Sequence, residues 1–185
     1  MTKLNKFEWL MVFGVAVAAS MSIYRGDPDS LLSSFAAITG IICVIMCSKG
    51  KRSSYVWGFV NVLAYAWLAF RATFYGEVML NALYFMPTQF IGWYYWTKHL
   101  NNETNEVKSK VMTLWQVFIW TVLTLGTITV VAKGLEFIGT GQFYAGATSL
   151  TLSLVANVLM VKRYAVQWPI WIVVNIASIY MWVQY

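Results

Sequence analysis

Seven apolar runs, each roughly the length that carries a helix across ~30 Å of hydrocarbon, leave this chain few folds to choose from. They fall at about Trp9–Tyr24, Leu31–Ser48, Tyr55–Phe70, Val78–Lys98, Met112–Ala132, Phe143–Val161 and Trp168–Tyr185, with charges confined to short clusters between them. In lipid a spanning segment must satisfy its own backbone polar groups, so each run is predicted to be a helix. The runs are too long, and alternate too little, for barrel strands. Lys3 and Lys6 ahead of the first run suggest a signal peptide, but Tyr24-Arg25-Gly26-Asp27-Pro28 offers no small-x-small cleavage site. That run is kept as a helix. Composition agrees: 59% of the 185 residues are hydrophobic and 11% charged, more apolar surface than a soluble domain of this size can hide.

The net charge of +6 raises the question of nucleic acid, and its placement answers it. With loops numbered alternately, one side carries Lys3, Lys6, Lys49, Lys51, Arg52, Lys98, Lys108, Lys110, Lys162 and Arg163. The other carries Arg25, Arg71 and Lys133. Ten against three is a positive-inside pattern. It predicts a cytoplasmic amino terminus and makes the basic charge a topology signal, with no nucleic-acid partner.

An internal repeat organises the runs. Laid ungapped on Asn157–Tyr185, at an offset of 114 residues, Cys43–Arg71 brings Val44 onto Val158, Met46 onto Met160, Lys49 onto Arg163, Trp57 onto Trp171, Val60 onto Val174 and Asn61 onto Asn175. The copies start four helices apart, so they share one orientation, as in transporters whose halves are related by an axis along the membrane normal. The expected fold is an all-α integral membrane bundle. Residues 1–29 form a helix outside the repeat, 30–100 a first three-helix repeat, 101–141 a loop and linking helix, and 142–185 a second repeat. The second repeat stops one helix short, the counterpart of Val78–Lys98 being absent.

No Asp, Glu, Lys, Arg or His lies in the middle of any predicted helix, although driven pumps and coupled carriers usually need one there. Walker, His-Glu-x-x-His and triad patterns are absent too, so no enzyme is expected. Cys43 and Cys47 share a helix face without a histidine or carboxylate to complete a metal site, and packing is the expected role. His99, at a helix end beside Lys98, is expected to be solvated. No cofactor is implied.

The interior offers neutral amides and aromatic rings instead. On the fourth run Asn81, Gln89, Trp93 and Trp96 fall within roughly a third of the helix circumference, and Tyr84 shares that helix. Asn61 and Asn175 follow Trp57 and Trp171 by one turn, and Asn157 adds an amide to the sixth run. A buried amide costs several kcal/mol unless paired, so these residues should face one another or a polar cavity. Amides grip hydroxyls while indole faces sandwich a flat or cationic ring. The plainer roles are interhelical hydrogen bonds for the amides and interfacial belts for Trp93, Trp96, Trp115, Trp120 and Trp182. Ser149, Ser153 and Asn157 read more simply as a packing seam. Pro87 predicts a kink.

Several segments resemble the Pnu family of bacterial vitamin and nucleoside transporters. They are Tyr75-Gly76-Glu77 opening a helix, Gln89-Phe90-Ile91-Gly92-Trp93-Tyr94-Tyr95-Trp96 with its Gly-Trp-x-x-Trp, Val158-Leu159-Met160-Val161-Lys162-Arg163-Tyr164, Trp168, and Val174-Asn175-Ile176. The PnuC-like resemblance implies a 3+1+3 helix arrangement, often with an extra amino-terminal helix, in a homotrimer of the bacterial cytoplasmic membrane. It also implies facilitated diffusion of a vitamin or nucleoside that a cytosolic kinase traps by phosphorylation. Nicotinamide riboside is the expected cargo; a deoxyribonucleoside, thiamine or riboflavin is the alternative. The binding set expected on these grounds is Trp57, Asn61, Asn81, Tyr84, Gln89, Trp93, Trp96, Asn157, Trp171 and Asn175. An intramembrane enzyme lacks a nucleophile or acid–base pair here, and a membrane scaffold leaves the paired asparagines unexplained.

Overall fold

A computed structural model describes residues 4–26, 28–138 and 143–183. Helices occupy all seven predicted runs. They are α1 (Lys6–Arg25), α2 (Ser30–Ser48), α3 (Ser54–Arg71), a rod made of α4 (Tyr75–Leu80), a π-helical turn (Asn81–Phe85) and α5 (Met86–Lys98), then α6 (Leu114–Ile138), α7 (Phe143–Val161) and α8 (Gln167–Val183). Among the described residues the only β-type pairing is one isolated bridge, Lys110 with Tyr164. The chain is an all-helical membrane protein. Two compact units divide it, Met1–Lys108 and Ser109–Tyr185.

Local chemistry sets the helix ends. Asn5 caps α1 by accepting from the Glu8 N–H at 2.8 Å, and the Glu8 carboxylate accepts from the Asn5 N–H at 2.7 Å, a reciprocal capping box. Gly26, at φ 69°, closes the same helix in the left-handed conformation that glycine tolerates. The fifth run is predicted to end at Ala132, yet α6 continues to Ile138. Lys133 and Glu136 are exposed, so the helix carries them without burying charge, and apolar content alone misplaces its end.

Ion pairs fix how the first unit sorts its ends. Lys49, after α2, meets Glu8 of α1 at 3.0 Å, and Arg71 of α3 meets Asp29, which precedes α2, at 3.0 Å. The Arg52 guanidinium lies 5.0 Å from the centre of the Trp93 ring near the end of α5. Lys49, Arg52 and Lys98 therefore belong to one end of this unit, and Asp29 and Arg71 to the other. In the second unit α7 packs against both α6 and α8. Ala147, Thr151, Ser153, Ala156, Asn157 and Leu159 of α7 are all buried.

Among the described residues, three helices are long and apolar enough to span a membrane by length and composition alone: Lys6–Arg25, Ser30–Ser48 and Leu114–Phe137. The helices that fall short include those holding the polar candidates, α3 with Asn61 and the 75–98 rod with Asn81 and Gln89.

The turns of the two repeats have the same backbone, at a register one residue away from the sequence match. The Lys49 N–H donates to the Ile45 carbonyl and the Lys162 N–H to that of Val158. Lys51 bonds Met46 as Tyr164 bonds Leu159, and Ser54 bonds Lys51 as Gln167 bonds Tyr164. Gly50 (φ 66°) and Arg163 (φ 69°) both take the left-handed conformation. Each of their carbonyls accepts a backbone N–H from an extended segment, that of Val107 at 2.8 Å and that of Lys110 at 2.7 Å. Every such pair is offset by 113 residues, not 114. One residue is about 100° around a helix, so the expected equivalence of Asn61 and Asn175 is corrected. Asn61 corresponds to Val174, and Asn175 to Val62. The sequence match rested on the paired Trp-x-x-x-Asn and a few apolar identities, whereas the hydrogen bonds of the turns set the register of the backbone.

Candidate functional site

Pro87 shapes the rod that carries most of the candidates. It lacks an N–H, and its ring would press on the carbonyl four residues back in a regular helix. The chain answers with a wider turn: the Met86 N–H reaches the Asn81 carbonyl, five residues back. Leu80, Phe85 and Met86 keep right-handed helical angles, so helical backbone runs without a break from Tyr75 to Lys98. The turn also changes which residues align. Regular spacing would set Gln89 about 80° round from Asn81, and one surplus residue takes back about 100°, leaving them about 20° apart. Asn81 (5% exposed) and Gln89 (7%) are both buried.

Two glycines let the rod approach α3. A Cβ at Gly58 would lie 2.5 Å from the Gln89 Oε1 and 3.3 Å from the Cys43 Sγ, so the bare backbone at 58 makes room for the buried amide. At Gly92 a Cβ would overlap the Tyr55 ring. That ring stands edge-on to Trp96, with centroids 5.1 Å apart; Phe59 and Phe90 make a second such pair at 5.3 Å. Tyr55 and Trp96 are nearly fully buried. Gly-Trp-x-x-Trp is thus in part a packing device: its glycine receives Tyr55 and its second tryptophan closes on the same ring.

The amides are partly engaged already. The Asn61 Nδ2 donates to the Ala36 carbonyl of α2 at 2.6 Å. The Asn81 Nδ2 donates to the Glu77 carbonyl at 2.8 Å, and the Gln89 Nε2 to that of Phe85 at 3.1 Å. Each bond uses an N–H and leaves the amide oxygen with further accepting capacity. Trp57 and Trp93 are exposed; Arg52 covers one face of Trp93. Tyr84 is half-buried in the π turn, edge-on to Phe85. In the first unit the structure therefore gathers Gln89 and Trp96 against α3 and aligns Asn81 with Gln89, while Asn61 bonds across to α2.

In the second unit Asn157 is 3% exposed and its Oδ1 has no hydrogen-bond partner among the described residues. Trp171 is half-buried and Asn175 exposed. Sequence reasoning missed Tyr55, Gly58 and the buried Ser34, Ser54, Thr151 and Gln167, each of these four with an unpartnered oxygen. An isolated glycine inside a helix is a readable sign of close backbone approach; a buried hydroxyl leaves no such sign.

Residues 30–185 match the family model described as nicotinamide mononucleotide transporter. The chain belongs to that transporter family. A nicotinamide riboside transporter of Neisseria mucosa is 38% identical over 178 residues, covering 94% of this chain and 66% of the relative, just under two thirds of its length. Its counterpart in Haemophilus influenzae is 33% identical over 180 residues, covering 95% and 77%. The crystal structure of a vitamin B3 transporter, PnuC, superposes with a TM-score of 0.82 at 35% identity, over 99% of this chain and 79% of that one. The family and these relatives are transporters by name, not enzymes.

Proposed function

We propose that this member of the nicotinamide mononucleotide transporter family carries nicotinamide riboside across a bacterial cytoplasmic membrane by facilitated diffusion, with the amino terminus in the cytoplasm. Residues 30–100 and 142–185 act as the two repeats, 101–141 links them, and 1–29 lies outside. The chain works as a homotrimer, and a cytosolic kinase traps the cargo by phosphorylation. The observation that carries the reading is the pair of buried amides, Asn81 and Gln89, aligned on a rod that also carries Tyr84 and Trp96. Amide oxygens and N–H groups suit ribose hydroxyls and a carboxamide, and aromatic faces suit a pyridinium ring. Asn61, Asn157 and Asn175, with Trp57, Trp93 and Trp171, complete the set. None of the ten side chains is charged, and a phosphate's two negative charges would go unbalanced among them.

The cargo for which the relatives are named supports the riboside. Arg52 beside Trp93 is the one observation that favours the mononucleotide, since a guanidinium there could meet a phosphate. Proteoliposomes offered labelled nicotinamide riboside, its mononucleotide, thiamine, riboflavin and a deoxyribonucleoside decide the matter. The expected result is uptake of the riboside to equilibrium and no further, whatever the proton or sodium gradient. Concentrative uptake without a kinase, or preference for another compound, overturns the reading.

A further inference from the structure

At the lysine-poor end of the first unit the described charges are Arg25, Asp29, Arg71 and Glu77, with Arg25 on α1, away from the rod that carries Glu77. Asp29 is neutralised by Arg71 at 3.0 Å. Glu77 is exposed, and its carboxylate makes no ion pair among the described residues. It stands one helical turn before Asn81, whose side chain donates to the Glu77 carbonyl at 2.8 Å. Residues four apart lie on one helix face. Glu77 and Asn81 are therefore successive on the rod, and the π turn continues that line to Gln89.

From this we propose that Glu77 is a charge selector: its carboxylate gathers the pyridinium cation at the lysine-poor end of the rod and passes it toward the buried amides. The inference rests on the riboside reading. A carboxylate beside low-dielectric protein raises the local concentration of a cation, and the effect fades with ionic strength. At the opposite end Lys51, Arg52 and Lys98 give a cation no such attraction. A carboxylate in a helix's first turn also favours the helix itself. That role is blind to the charge of the cargo.

The test compares nicotinamide riboside with its uncharged dihydro form in proteoliposomes of wild type, Glu77→Gln and Glu77→Asp at low ionic strength. Glu77→Gln should slow initial uptake of the cation about threefold to tenfold and leave the neutral form unchanged. Glu77→Asp should retain the cation's advantage, and added salt should erase it. Equal slowing of both forms, or none, overturns the selector while the riboside reading stands. Wild-type liposomes that admit neither form overturn the riboside reading and the selector with it. Melting temperatures measured alongside show whether each variant is folded.

Discussion

A methyl group added at Gly92 has no room, and the glycines of this chain form a graded series around that fact. At Gly92 the new carbon would overlap the Tyr55 ring; at Gly58 it would lie 2.5 Å from the Gln89 Oε1; at Gly126 nothing lies within 4 Å. A ring wedged between α3 and α5 cannot move without disturbing its edge-on contact with Trp96. Gly92→Ala should therefore cost about 1–3 kcal/mol of overpacking, plus part of an aromatic pair worth about 0.5–1.5 kcal/mol, against at most about 1 kcal/mol of helix propensity gained. Melting should fall by roughly 2–4 °C for each net kcal/mol. Gly58→Ala presses instead on the end of a flexible side chain, which can swing aside at a smaller cost in stability. If Gln89 holds the cargo, the displaced amide should weaken riboside binding about tenfold, the equivalent of one lost polar contact. Gly126→Ala should be neutral or slightly stabilising, with binding intact. Thermal melts in detergent and riboside titrations on all three variants give the answer. A Gly92→Ala protein as stable as Gly126→Ala would refute the packing of Tyr55 against α5.

Two further outcomes follow from the same geometry. Asn61→Leu removes the bond to the Ala36 carbonyl and should cost about 0.6–1.5 kcal/mol in melting experiments; Asn175→Leu, at an exposed position, should leave stability unchanged, and equal losses would restore the symmetric pairing that the 113-residue register rejects. In a variant lacking Cys43 and Cys47, a cysteine replacing Lys108 should resist impermeant thiol reagents in intact cells and react in inverted vesicles, and the reverse pattern would invert the topology.

The rods were legible because hydrocarbon thickness imposes a length that apolar runs display openly. The sorting of Lys49, Arg52 and Lys98 to one end could be read for a similar reason, since charge placement in loops is a one-dimensional signal. Pro87 marked where the fourth helix departs from regularity but not that the departure takes the form of a widened turn. Asn61 and Asn175 looked alike because a ladder of apolar residues matches itself at several offsets, while hydrogen bonds in a turn fit only one. Trp96 could not be told from a belt tryptophan, because its burial depends on Tyr55, many residues away in sequence and adjacent only once Gly92 admits the ring. The amides were visible as polar interruptions. Which of their atoms the protein itself uses, such as the Asn61 Nδ2 on the Ala36 carbonyl, depends on tertiary geometry that no local pattern encodes.

The widened turn at Asn81–Phe85 gives the rod a property that a regular helix lacks. A helix holding one residue more than its length requires can pass that surplus along by exchanging hydrogen bonds singly, a five-residue span for a four-residue one, as a ruck travels along a carpet. No carbonyl need be stranded in hydrocarbon, where it would cost several kcal/mol. Each step turns the residues it passes by about 100° while the rod remains continuous. Pro87 opposes such travel: with the surplus moved toward Glu77, its ring would again press on the carbonyl four residues back. The proline thus pins the surplus residue, and with it the alignment of Asn81 with Gln89, where it stands.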